Sequence, residues 1–101
     1  PVLAEVGVTR ESDHSYLVDA SANIRRLNRL MSWELPTDGP KTLNGLIIET
    51  LETIPSPGTS VTVNGYPIEI LDASEHAIKQ VRVLTPHEHD EELPALRAAQ
   101  G

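Results

Sequence analysis

The sequence contains no cysteine and no phenylalanine, and a single tryptophan, Trp33. Without cysteine there are no disulfides, thiol nucleophiles or cysteine-ligated zinc, and a reducing compartment is the natural fit. Positive charge is scarce: eight Lys and Arg face fifteen Asp and Glu, for a net charge of −7. Such a chain lacks the cationic field needed to attract nucleic acid or anionic lipid unselectively. Long apolar runs are missing too, since the longest strongly apolar one is Leu46-Ile47-Ile48, against the ~20 residues of a membrane span. The six glycines are isolated, so no glycine-rich phosphate loop can form locally.

What is present suits one small globular unit. The 101 residues are 39% apolar, drawn mainly from Leu, Ile, Val and Ala. A domain of this size buries only about 60–65% of the surface its unfolded chain exposes, so few apolar positions can be spared. The chain begins at Pro1 without an initiator Met, which leads us to expect an excised or processed piece of a longer protein.

Periodicity orders the elements. Val2, Ala4, Val6 and Val8 alternate and predict a strand over 1–10; Ser15 to Asp19 predicts a second, with 11–14 as the hairpin loop. From Ser21 as cap, Ile24, Leu27, Leu30 and Met31 mark one face of a helix that should end at Leu35-Pro36. A second helix is capped by Thr42, carries Leu43, Leu46, Ile47, Leu51 and Ile54 on one face, and stops at Pro55-Ser56-Pro57-Gly58. Val61 and Val63, an Asn64-Gly65 turn, then Tyr66, Ile68 and Ile70 predict a hairpin. Pro67 restricts its strand to an edge or to an unbonded ladder position. Ala77 to Leu84 forms the last strand, with a bulge near Lys79-Gln80. The order β-β-α-α-β-β-β predicts an α+β fold: a mostly antiparallel sheet with two helices packed on it. Residues 1–84 form the domain. Residues 85–101 read as an acidic, largely disordered tail, whose Glu88, Asp90, Glu91 and Glu92 against Arg97 supply −3 of the total −7 and leave −4 on the body.

A search for catalytic patterns finds no GxSxG, HExxH, Walker loop, GxGxxG or EF-hand spacing. Two weaker clusters carry chemistry. Arg25, Arg26 and Arg29 could receive a nucleotide phosphate or an acidic surface, or simply form the solvated back of the first helix beside Glu34 or Glu49. His87, His89 and Asp90 have metal-ligand chemistry, though no rigid scaffold around them. Trp33 fits a core plug better than an interface anchor.

Taken in order, Tyr16-Leu17-Val18-Asp19, Leu27-Asn28-Arg29-Leu30, Leu35-Pro36, Thr42-Leu43-Asn44-Gly45-Leu46-Ile47, Ile54-Pro55-Ser56-Pro57-Gly58, Asn64-Gly65-Tyr66 and Val81-Arg82-Val83 resemble the transporter-associated domain of the CorC/HlyC family. The resemblance spans residues 8–84 and implies a fold like the small part of PCMH-type FAD-binding folds. Ala20, His14 and Glu52 stand where the family usually has glycine. Each motif residue also has a physical role: Thr42 as cap, Gly45 for a close approach, Pro55 and Gly58 for chain reversal.

The resemblance further implies a C-terminal domain of bacterial membrane proteins that carry a transmembrane domain and a pair of CBS domains, associated with magnesium and cobalt efflux and sometimes named hemolysins. The expected function is therefore non-enzymatic: a regulatory module at the cytoplasmic face of the inner membrane that modulates divalent cation efflux. Its partners would be the rest of its own chain or a second copy, with no nucleic acid, no membrane insertion and no cofactor, FAD included. The alternative is a ligand-sensing module for an adenine nucleotide or a divalent metal. A pore-forming toxin is disfavoured by the missing signal peptide and amphipathic membrane segment.

Overall fold

A computed structural model describes residues 2–85. It opens with one helical turn, α1 (Val2–Glu5), and the hairpin β1 (Val8–Ser12) and β2 (Ser15–Asp19). Two helices follow, α2 (Ile24–Met31) and α3 (Leu43–Leu51), and then the strands β3 (Ser60–Val63), β4 (Tyr66–Ala73) and β5 (Ile78–Leu84). The strands form one open sheet in the order β1-β2-β5-β4-β3 with every pair antiparallel. The expected α+β architecture is therefore present, with the last strand inserted beside the second.

The sheet buries one face. Val18, Val81, Val83, Ile68 and Ile70 project from it and meet Ile24, Leu27, Leu43 and Ile47 of the helices, all at or below 1% exposure. Burying each such side chain is worth about 1.5–3 kcal/mol, so this seam is the main source of stability. Trp33 completes the core where aromatic bulk is otherwise lacking: its ring meets Tyr16 edge-on at 5.6 Å and Tyr66 at 5.9 Å. Packed this way, Trp33 is not available as a dimer anchor.

Several boundaries differ from the sequence expectation. Residues 2–7 are a helical turn and a reversal, not strand: Val6 and Gly7 donate to the carbonyls of Leu3 and Ala4, and Gly7 turns the chain at φ 77°. The cap of α2 is Asn23, whose Oδ1 accepts the Arg26 N–H at 3.0 Å. Ser21 is diverted, its N–H and hydroxyl both bonding Asp19 Oδ1. Helix α2 ends at Met31 because Ser32 takes the left-handed conformation (φ 58°), and α3 ends likewise at Glu52 (φ 62°), before the prolines.

Other local expectations match. Thr42 Oγ1 caps α3 by accepting the Gly45 N–H at 3.1 Å. Asn64 and Gly65 both have positive φ, as a tight hairpin turn demands. Pro67 lies on the interior strand β4 and not at an edge. Val63 and Tyr66 close the hairpin, which makes Thr62 and Pro67 the unbonded pair, and the ladder with β5 starts only at Ile68 opposite Val83. The register of β4 and β5 slips at Leu71 and slips back at Lys79, so the bulge falls at the expected place.

Candidate functional site

Polar motif side chains act first as structural joints. Asn28 on α2 clamps Leu35: its Nδ2 donates to the Leu35 carbonyl at 2.9 Å and its Oδ1 accepts the Leu35 N–H at 3.0 Å. Asn44 on α3 accepts the Ile78 N–H at 2.7 Å, tying that helix to β5. The Tyr66 hydroxyl accepts the Glu34 N–H, and Asn64 Nδ2 donates to the Glu34 carbonyl. A Cβ on Gly45 would lie 2.9 Å from Pro40 Cβ, which shows how closely the start of α3 meets the preceding loop.

The sheet face opposite the helices carries a charged bridge. Arg82 on β5 donates through Nε to Glu11 Oε1 at 2.8 Å and through Nη1 to Glu69 Oε1 at 2.6 Å. Its guanidinium pKa is raised by these two carboxylates, Glu11 first, while Arg82 and then Ser15 hold the Glu11 carboxyl below its usual value. This network, missed in the sequence, spans β1 to β4. It is fully internal and leaves Arg82 no free fork for a ligand.

The arginines of α2 are different. Of Arg10, Arg25, Arg26, Arg29, Lys41, Lys79 and Arg82, only Arg10 and Arg82 pair with carboxylates; the other five make no ion pair among the described residues. Neither Glu34 nor Glu49 neutralises the α2 cluster. The structure also divides that cluster. Arg25 turns to the loop between the helices, where its Nη2 donates to the Thr37 carbonyl at 3.2 Å. Arg26 borders a separate depression with Glu5, Asp19 and Ser21, and Arg29 lines neither.

Arg25 instead shares an open cleft of about 530 Å³ with Lys41, Thr37 and Asp38. Two backbone links bring Lys41 there: its carbonyl accepts the Ile24 N–H at 2.8 Å, and Asn23 bridges to Thr42. Sixteen positions separate Arg25 from Lys41 in sequence, and only the pairing of the two helix starts joins them. The other candidates, His87, His89 and Asp90, lie outside the described residues. Among the described residues no cluster of three or more His, Asp or Glu could hold a metal ion.

An open antiparallel sheet with one helical layer, its motif residues spent on joints, defines a small α+β domain. The sequence profile of the CorC_HlyC transporter associated domain matches residues 9–87, and the chain belongs to that family. It is 47% identical over 83 residues to the UPF0053 inner membrane protein YfjD of Escherichia coli K12, covering 82% of this chain and 19% of that protein. With the magnesium and cobalt efflux protein CorC of the same organism it shares 27% identity over 75 residues, 74% of this chain and 26% of CorC. A crystal structure of a conserved protein of unknown function from Haemophilus influenzae Rd KW20 superposes with a TM-score of 0.74 at 43% identity, over 78% of this chain and 98% of that one. The chain thus spans about a fifth to a quarter of the length of these two curated relatives. No helix among the described residues is long and apolar enough to cross a membrane.

Proposed function

We propose that this domain is a non-enzymatic regulatory module of a CorC-type membrane protein, acting at the cytoplasmic face of the bacterial inner membrane to modulate divalent cation efflux. Residues 1–84 are the regulatory unit and 85–101 its acidic extension. Its partners are the CBS-domain pair and the transmembrane domain of the same polypeptide. The observation that carries this reading is the family match over residues 9–87, joined to relatives several times longer than the chain. The motif residues support it: Asn28, Thr42 and Asn44 spend their polar atoms on backbone joints, as suits a domain whose task is to hold a shape for contact.

The test is transport of magnesium and cobalt by the full-length protein with and without residues 8–84. Altered efflux, or an altered response of efflux to internal ion concentration, is expected on deletion. Efflux and ion response identical to the intact protein, at equal membrane abundance, would refute the role.

A further inference from the structure

We infer that the cleft between the start of α2 and the 37–41 loop binds a phosphate group carried on a hydroxylated body, with Arg25 and Lys41 as its anion ligands. The inference goes beyond the regulatory reading and stands or falls separately from it. Its basis is a charge arrangement that the fold does not use. The body of the domain is acidic, yet Arg25 and Lys41 line one concavity and, among the described residues, neither is paired with a carboxylate. By contrast, the fold neutralises Arg82 twice over on the opposite side of the sheet. Both side chains are exposed, and a pair of cations lining one concavity attracts an anion more strongly than the same charges on a convex surface.

The ligand class follows from the donors and from Asp38. Arg25 keeps part of its planar fork free after its single bond to the Thr37 carbonyl, and such a fork matches phosphate oxygens, while the Lys41 ammonium adds a mobile point charge. Asp38 borders the same cleft. Its carboxylate opposes a bare anion but accepts from a hydroxyl, so a sugar phosphate or a glycerol-phosphate headgroup fits better than inorganic phosphate. The cleft volume of about 530 Å³ accommodates a mononucleotide. Its walls are also held in advance. The Ile24 N–H is bonded to the Lys41 carbonyl, Arg25 to the Thr37 carbonyl, and Asn23 is bridged to Thr42, so little chain ordering opposes binding.

The test is a titration of the 101-residue chain, followed by backbone amide NMR shifts, with AMP, ATP, inorganic phosphate and, separately, phosphatidylglycerol vesicles. Shifts confined to residues 23–26 and 37–41 are expected, weakening as salt rises from about 0.05 to 0.15 M. AMP should bind more tightly than inorganic phosphate. Arg25→Gln and Lys41→Gln should each weaken binding roughly tenfold, and Arg29→Gln, on the same helix but outside the cleft, by less than about twofold. Since Lys41 makes no side-chain hydrogen bond or ion pair among the described residues, its variant reports binding even if Arg25→Gln disturbs the loop. Binding to vesicles alone would assign the phosphate to a lipid headgroup, and binding to nucleotides a free ligand; either supports the site. No shift with about 10 mM of any soluble probe and no vesicle binding, or equal losses in the Arg25 and Arg29 variants, would overturn it.

Discussion

Glu52 closes α3 in the left-handed conformation, φ 62° and ψ 22°, with its N–H bonded to the Ile48 carbonyl at 2.6 Å. A side chain there costs about 1–2 kcal/mol relative to glycine, because Cβ crowds the carbonyl. Glycine gives back about 0.5–1 kcal/mol through the larger entropy it loses on folding. The Glu52 carboxylate also sits at the negative end of the helix dipole, an exposed and screened penalty of about 0.3 kcal/mol. Glu52→Gly should therefore stabilise the domain by about 1 kcal/mol, which for a chain of this length raises Tm by about 4–8 °C. Thermal and urea unfolding followed by the fluorescence of Trp33, buried against Tyr16, measures it directly. Glu52→Gln separates the two contributions, since it removes the charge and keeps Cβ. If Glu52→Gly is no more stable than Glu52→Gln, backbone strain at this cap is not the cause and the reasoning fails.

The reverse change at Gly7 should destabilise by about 2 kcal/mol or more in the same unfolding assay, because an added Cβ would lie 2.7 Å from Asp19 Cβ at a φ of 77°. Asn28→Ala deletes both bonds to Leu35 and leaves a half-buried peptide unpaired; a loss of about 1–3 kcal/mol is expected, with faster amide exchange at Leu35. Asp19 has its carboxyl pKa held below the usual value by the Ser21 hydroxyl first and the Ser21 N–H second. A depressed folded pKa contributes stability that is present above the unfolded value near 4 and is lost as pH falls through the folded one, so Asp19→Asn should lower stability at pH 7 and flatten the acid limb of the stability curve below about pH 4.

How much of this was legible in the sequence depends on whether the signal was local. Thr42, Asn64-Gly65 and the apolar face of α3 were readable because each acts within a few residues of itself. The N-terminus misled for a physical reason. Val2, Ala4, Val6 and Val8 alternate as a strand would, but between residues 3 and 6 it is Leu3 and Val6, one helical turn apart, that pack on the core, and Gly7 then reverses the chain before Val8 enters β1. The helix ends misled in another way, since Ser32 and Glu52 carry no sequence mark for a left-handed conformation that glycine usually supplies. Of the three positions where glycine is usual in the family, only Glu52 has a positive φ. His14 and Ala20 do not, so the β1–β2 turn and the Asp19-Ala20 corner need no glycine.

The candidate site was half visible for the same reason. Arg25, Arg26 and Arg29 are neighbours on a helix by spacing alone, but spacing cannot tell which of them faces a concavity. That is decided by a long-range link, the bridge of Asn23 to Thr42, which sets the start of α2 beside the start of α3 and carries Lys41 to Arg25. The same link bears on how a ligand there could be felt elsewhere. Residues 23 and 42 open the two helices that cover the sheet, and Asn44, two residues on, is bonded to Ile78 at the start of β5. An anion drawing Arg25 and Lys41 together would load that joint directly, and it would do so without touching the Arg82 bridge on the far face. Substitutions at Arg82 should therefore leave phosphate affinity unchanged while lowering stability, whereas Asn44→Ala should alter both.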